Sequence, residues 1–144
     1  MDPAEDALAA LGPVTSSGPT SASASAYFAG TLPVFAGHFP GAPLVPGVHQ
    51  VALVAELARR GTGNHALLVA AIVRCKWSLP VCPGDDLVVT ASWRQDGAYL
   101  LVDGTVARGG AVSCSCRLRL AENSPFPLGR RPYPIASTSQ EVPS

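Results

Sequence analysis

The clearest alternation in the chain is Ala22-Ser23-Ala24-Ser25-Ala26-Tyr27-Phe28, where small apolar and polar residues exchange places as they do on a half-exposed strand. A second pattern follows from about Gly47 to Arg60. There Val48, Val51, Ala52, Leu53, Val54, Ala55, Leu57 and Ala58 leave few polar positions, and Gly61-Thr62-Gly63 closes the run. A helix apolar on most of its circumference is buried on several sides, and a sheet wrapped round it would bury it. Beyond it, Ala66 to Val73 is a long apolar run rich in β-branched residues. Leu87 to Trp93, Tyr99 to Ala107 and Ala111 to Ala121 read as three further strands. Asp96-Gly97 and Gly109-Gly110 supply the hairpin turns between the last three. The predicted order is strand, loop, central helix, then four antiparallel strands: an α+β domain with one long helix in a curled sheet.

The ends are less patterned. Asp2 to Leu11 reads as a short helix ended by Gly12-Pro13, and the Ser/Thr/Ala-rich stretch from Thr15 has weak periodicity. From Asn123 onward five prolines and a Ser/Thr tail carry no period, so the expected division is a domain over 1–122 and a Pro-rich flexible tail over 123–144. One domain of this length is long enough to bury a core. Hydrophobic residues make up 47% and charged residues only 14%, which suggests that part of the surface is an obligate interface. The formal net charge of +0 gives no reason to expect nucleic acid as a partner. No apolar run is long enough to span a bilayer and Met1-Asp2-Pro3-Ala4-Glu5-Asp6 lacks a basic leader, so a cytoplasmic protein without a membrane partner is expected.

Four cysteines, Cys75, Cys82, Cys114 and Cys116, fit no common zinc spacing, so no metal is expected. Cys114 and Cys116 are two apart on a predicted strand and share a face; small, buried, reduced side chains are the expectation. The chemistry concentrates instead in Gly37-His38-Phe39-Pro40-Gly41-Ala42-Pro43-Leu44-Val45-Pro46-Gly47-Val48-His49-Gln50. This string brings an imidazole to the mouth of a helix N-terminus, where backbone N–H groups are free and the dipole favours negative charge. A base beside such donors is the minimum kit for proton abstraction next to a thioester or ester carbonyl. The plainer reading is that His38 braces the loop.

Gly-His-Phe-Pro-x-x-Pro-x-x-Pro-Gly-Val resembles the signature of hot-dog-fold 3-hydroxyacyl-acyl-carrier-protein dehydratases, the stand-alone enzymes of fatty acid, type II polyketide and aryl-polyene synthesis. Arg74-Cys75-Lys76-Trp77-Ser78-Leu79-Pro80-Val81-Cys82-Pro83-Gly84-Asp85 is similar to the family's later strand and Pro-Gly-Asp turn. The resemblance spans roughly residues 20–122. It implies a hot-dog fold and His38 as the base that removes the α-proton of a 3-hydroxyacyl thioester. It implies that the backbone at Gly47 and Val48 holds the thioester oxygen. It also implies a substrate carried on the phosphopantetheine of an acyl carrier protein, with no cofactor of the enzyme's own. Phe39, Pro46, His49 and Gln50 are then candidate substrate-binding residues, Gln50 through the Pro-Gly-Val-x-Gln string.

One position departs from the pattern. The family carries a Glu or Asp fourteen residues after the motif histidine, and counting from His38 that position is Ala52. The family's sites are built across a dimer interface, so a dehydratase-like partner subunit carrying the acid would complete a site with His38. Glu56, on the face that His49 and Ala52 share at i, i+3, i+7 spacing, is the candidate substitute acid in a homodimer. Its plainer role is to pair with Arg59 or Arg60. A non-catalytic docking subunit and a hot-dog thioesterase are the remaining alternatives. By charge alone, Arg59, Arg60, Arg74 and Lys76 could receive an acidic carrier protein, or simply solubilise the surface.

Overall fold

The computed structural model describes residues 3–29 and 45–122. The first element is α1, Pro3–Ala10, which has proline at its first position and Glu5 and Asp6 in its first turn, where the helix dipole favours acids. The chain passes directly into β1, Leu11–Gly18, and returns through a turn at Pro19-Thr20 as β2, Ser21–Ala26. β1 is an addition to the expected order. Gly12-Pro13 does not stop the chain but sits inside this strand. Proline is tolerated because β1 lies at the edge of the sheet, where one side of the backbone needs no ladder partner.

The long helix α2 spans Gly47–Thr62, two residues past its expected end. Gly63 closes it at φ +71, with the amides of Gly63 and Asn64 turned back to Arg60 O and Arg59 O. Four strands follow: β3, Leu68–Trp77; β4, Leu87–Asp96; β5, Tyr99–Arg108; and β6, Ala111–Ala121. β3 and β4 run further than the apolar pattern alone indicated, because their distal ends carry polar residues that still pair with β6 and β5.

All pairings are antiparallel and the six strands are ordered β1-β2-β4-β5-β6-β3. This is the α+β hot-dog arrangement expected, with the sheet curled round α2. Every residue of α2 from His49 to Arg59 is buried. Leu53, Leu57, Val51 and Val54 are fully so, and each contributes about 1.5–3 kcal/mol by leaving water. The inward face of β2 is Ala22, Ala24 and Ala26, small enough for helix and sheet to approach closely. Closer still is Gly104 of β5, where an added Cβ would run into the Val54 side chain.

Candidate active site

The N-terminus of α2 opens into a pocket of about 540 Å³. Val45, Pro46, Gly47, Val48 and Gln50 form one wall, and Trp77 with the Ser78–Val81 segment forms the other. The two walls are held together by backbone. Val45 N donates to Val81 O at 2.7 Å, and Ser78 N donates to Ser113 O at 2.8 Å. Gly84 N reaches Phe28 O at 2.8 Å, and the Asp85 carboxylate accepts from Cys82 N at 2.8 Å, which fixes the Pro83-Gly84-Asp85 turn beyond the wall.

Pro46 caps the helix with extended backbone (φ −59, ψ 148) and offers no side-chain acceptor. His49 N turns to Pro46 O at 3.0 Å. Gly47 and Val48 stand in the first turn, whose amides have no intrahelical acceptor, so the positive end of the dipole faces the pocket. Glycine at 47 is required by contact: a Cβ there would lie 2.5 Å from the Trp77 ring. The indole thus lies directly over the helix entrance.

At the pocket floor Gln50 is only 2% exposed. Ser113 Oγ lies 3.0 Å from Gln50 Oε1 and 2.9 Å from Val106 O. Ser113 was absent from the sequence-based site because strict alternation with Cys114, Cys116 and Leu118 inward would turn it outward. The register of β5 against β6 shifts between Val106 and Ala107: Val106 pairs with Cys114 and Ala107 with Val112. Ser113 is the extra residue of this bulge and is completely buried beside Cys114. No letter in the sequence marks it.

The remaining expected residues divide clearly. Pro46, Gly47, Val48 and Gln50 meet at the pocket. His38 and Phe39 lie outside the described residues. His49 turns away from the pocket toward α1, where its Nε2 lies 2.8 Å from Asp6 Oδ2 and its ring meets the Phe28 ring edge-on at 5.8 Å. Its Nδ1 is buried with no hydrogen-bond partner among the described residues. Ala52 is buried among core residues as a bare methyl.

Glu56, the candidate substitute acid, takes up the plainer role in this structure, pairing with Arg59 and Arg60. It is 4% exposed, its Oε1 accepts from Arg59 Nη1 at 3.2 Å and its Oε2 from Arg60 Nε at 3.0 Å. Both oxygens are held by guanidinium groups away from the pocket. Arg59 and Arg60, two of the candidate docking cations, are both engaged by hydrogen bonds within the fold. Arg59 is buried and donates to Leu67 O at 2.7 Å. Arg60 donates to Leu8 O, Leu11 O and Gly12 O, tying α1 and β1 to the helix. Arg74 and Lys76 do stand exposed, on the edge strand β3. Nearby, the Arg117 guanidinium grips Asp103 at 2.7 and 3.1 Å and holds its carboxyl below the usual range, against the opposing effect of burial.

Among the described residues the four cysteines are free thiols, and Cys114 and Cys116 share the inward face as expected. Cys75 joins them across the β3–β6 pairing, with its Sγ 3.7 Å from Cys114 Sγ. A second cleft of about 560 Å³ lies at the other end of α2, lined by Thr62, Asn64, Tyr99 and Glu122 among others. It presents no imidazole or cation, and it faces the negative end of the dipole. No helix among the described residues is long and apolar enough to cross a membrane.

Known proteins resemble this chain in sequence and in fold. FabZ, the 3-hydroxyacyl-acyl-carrier-protein dehydratase of Polynucleobacter necessarius, is 31% identical over 100 residues, covering 60% of this chain and 67% of that one. FabZ of Streptococcus pyogenes is 33% identical over 97 residues, covering 58% and 70%. Among solved structures, the dehydratase heterocomplex ApeI:P from Xenorhabdus doucetiae superposes with a TM-score of 0.63 at 23% identity, over 77% of this chain and 96% of that one. The model of the ApeI-like family, described as ApeI dehydratase, matches residues 15–113. With that match lying across β1 to β6 and the pocket at the head of α2, the chain belongs to the ApeI-like family of hot-dog dehydratases.

Proposed function

We propose that this chain eliminates water from a 3-hydroxyacyl thioester carried on an acyl carrier protein, as one subunit of a complex with a dehydratase-like partner. The observation that carries the reading is the uncapped head of α2 opening on an apolar pocket, with only a methyl group at Ala52. The thioester oxygen lies against the amides of Gly47 and Val48, where charge developing on it meets the helix dipole. His38 takes the α-proton. The C–O bond at the third carbon then breaks, the double bond forms, and the departing hydroxyl leaves as water after taking a proton from an acid of the partner.

A partner is invoked because the chain's own acid is absent and Glu56 is engaged by two arginines. Losing a positioned acid costs about 10²–10⁴-fold in rate. Of the four candidate docking cations, Arg74 and Lys76 stand exposed on β3, open to an acidic carrier protein. The structural likeness to a heterocomplex is consistent with a two-subunit assembly.

The test is native mass spectrometry and a dehydration assay, on the chain alone and with the dehydratase-like chain expressed beside it. A 1:1 complex that turns over, and loses turnover with His38→Ala, supports the reading. A homodimer that dehydrates unaided overturns the partner requirement. A complex whose turnover survives His38→Ala overturns the histidine's role and leaves this chain a docking subunit.

A further inference from the structure

The floor of the pocket holds one buried amide whose orientation is dictated from behind. Gln50 and Ser113 are 2% and 0% exposed, and Gln50 lines a pocket whose other side-chain walls are chiefly Val45, Val48, Trp77, Leu79 and Val81. Ser113 Oγ touches two groups, the Gln50 amide at 3.0 Å and Val106 O at 2.9 Å. A hydroxyl has one proton to give and two lone pairs with which to accept. Val106 O is a buried carbonyl at the point where the bulge interrupts the β5–β6 register, and a carbonyl can only accept. The Ser113 proton therefore belongs to Val106 O, and Ser113 Oγ is left as an acceptor toward Gln50.

An acceptor is satisfied only by the NH₂ end of the amide. The oxygen and nitrogen of a glutamine amide exchange places by a half-turn of the terminal bond, so their assignment follows from the network. With the NH₂ of Gln50 on Ser113, its carbonyl oxygen is the end offered to the pocket. That oxygen is a pure acceptor in an apolar wall. Within the reading of this chain as a dehydratase, the thioester carbonyl has no proton to offer it, whereas the 3-hydroxyl does.

We propose that Gln50 reads the 3-hydroxyl group of the substrate by accepting its hydrogen bond, and that Ser113 is the positioning residue that sets the amide in the accepting sense. The pair selects 3-hydroxyacyl chains over saturated ones. It acts on recognition and leaves the proton transfers to other groups.

The experiment uses two pantetheine analogues with amide in place of thioester, whose α-proton is too weakly acidic to be eliminated, one 3-hydroxylated and one saturated. Their affinities for the purified protein in its native assembly are measured by titration calorimetry. One neutral hydrogen bond gives the wild-type protein about a five- to tenfold preference for the hydroxylated analogue. Gln50→Leu erases that preference while the saturated analogue binds as before, and Ser113→Ala reduces it in the same direction. Ser113→Thr, which keeps the hydroxyl, restores it. A wild type with no preference overturns the proposal, as does a preference that survives Gln50→Leu. So does an equal loss of both analogues in a Gln50→Leu protein whose unfolding temperature is unchanged. Because binding and turnover are read separately, a wild type that prefers the hydroxylated analogue without dehydrating its thioester counterpart would sink the dehydratase reading and leave the recognition pair standing.

Discussion

His49 Nε2 and Asp6 Oδ2 stand 2.8 Å apart although 43 residues separate them in the chain. The contact pins α1 against the first turns of α2, with the Phe28 ring edge against the imidazole. The other imidazole nitrogen is buried without a partner, so among the described residues the ring relies on Asp6 for its hydrogen bonding.

Asp6→Ala leaves a buried imidazole with neither nitrogen satisfied. The expected loss is about 1–3 kcal/mol in urea unfolding, with α1 amides losing hydrogen-exchange protection first. Protection that stays unchanged in α1 would show that Arg60, through its bonds to Leu8 O, Leu11 O and Gly12 O, holds the segment without Asp6.

Glu56→Gln removes the charge between two guanidinium groups, one of them deeply buried. Breaking a buried ion pair from one side costs about 3–5 kcal/mol, and here Arg59 keeps its bond to Leu67 O, so the low end of that range is expected. The kcat of the folded fraction should not change. A collapse of kcat with stability intact would return Glu56 to the chemistry.

Gly104→Ala drives a methyl group into Val54 at the centre of the helix–sheet contact. Overpacking of this kind costs about 1–3 kcal/mol and should lower the unfolding midpoint without altering the slope against denaturant. Gly47→Ala meets the Trp77 ring instead, whose side chain is 44% exposed and can swing aside. Its signature should be a shift in tryptophan fluorescence and weaker ligand binding, with a smaller loss of stability.

Cys75 accepts hydrogen bonds from the thiols of Cys114 and Cys116, which pull its pKa down to about 4 against the opposing effect of burial. Cys116 moves the other way, its pKa raised by its hydrogen bonds to Cys114 and Cys75, which favour the protonated thiol, and by burial. A thiol with a depressed pKa is already thiolate at neutral pH, so its alkylation rate should be flat from pH 6 to 8, where an ordinary thiol near 9 gains about tenfold per unit. Peptide mapping after brief iodoacetamide treatment at pH 7 should find Cys75 modified before Cys114 and Cys116. Modification of Cys116 first would reverse the assignment.

Much of this architecture was readable because it rests on periodicity. The apolar circumference of α2 and the Asp96-Gly97 and Gly109-Gly110 turns placed the helix within two residues and the last two strands within one. β1 was hidden because Gly12 and Pro13 are breakers everywhere except on an edge, and a sequence does not say where the edge is. The pocket was half legible. Pro46, Gly47, Val48 and Gln50 are neighbours in the chain and could be placed together, whereas Trp77 and Ser113 arrive by folding. Arg59 and Arg60 look like surface charge in a string of letters, and only the packing of α1 and the Leu67 carbonyl turns them inward.

The bulge at Ser113 has a consequence for how this strand can change. Deleting that one residue would let β5 and β6 run in unbroken register and would remove a buried hydroxyl from the interior. The product should be a more regular and more easily folded sheet, whose glutamine no longer has anything to tell it which way to face. Any variant selected for robustness alone should drift toward that deletion, and the irregularity persists only where something is asked of the pocket.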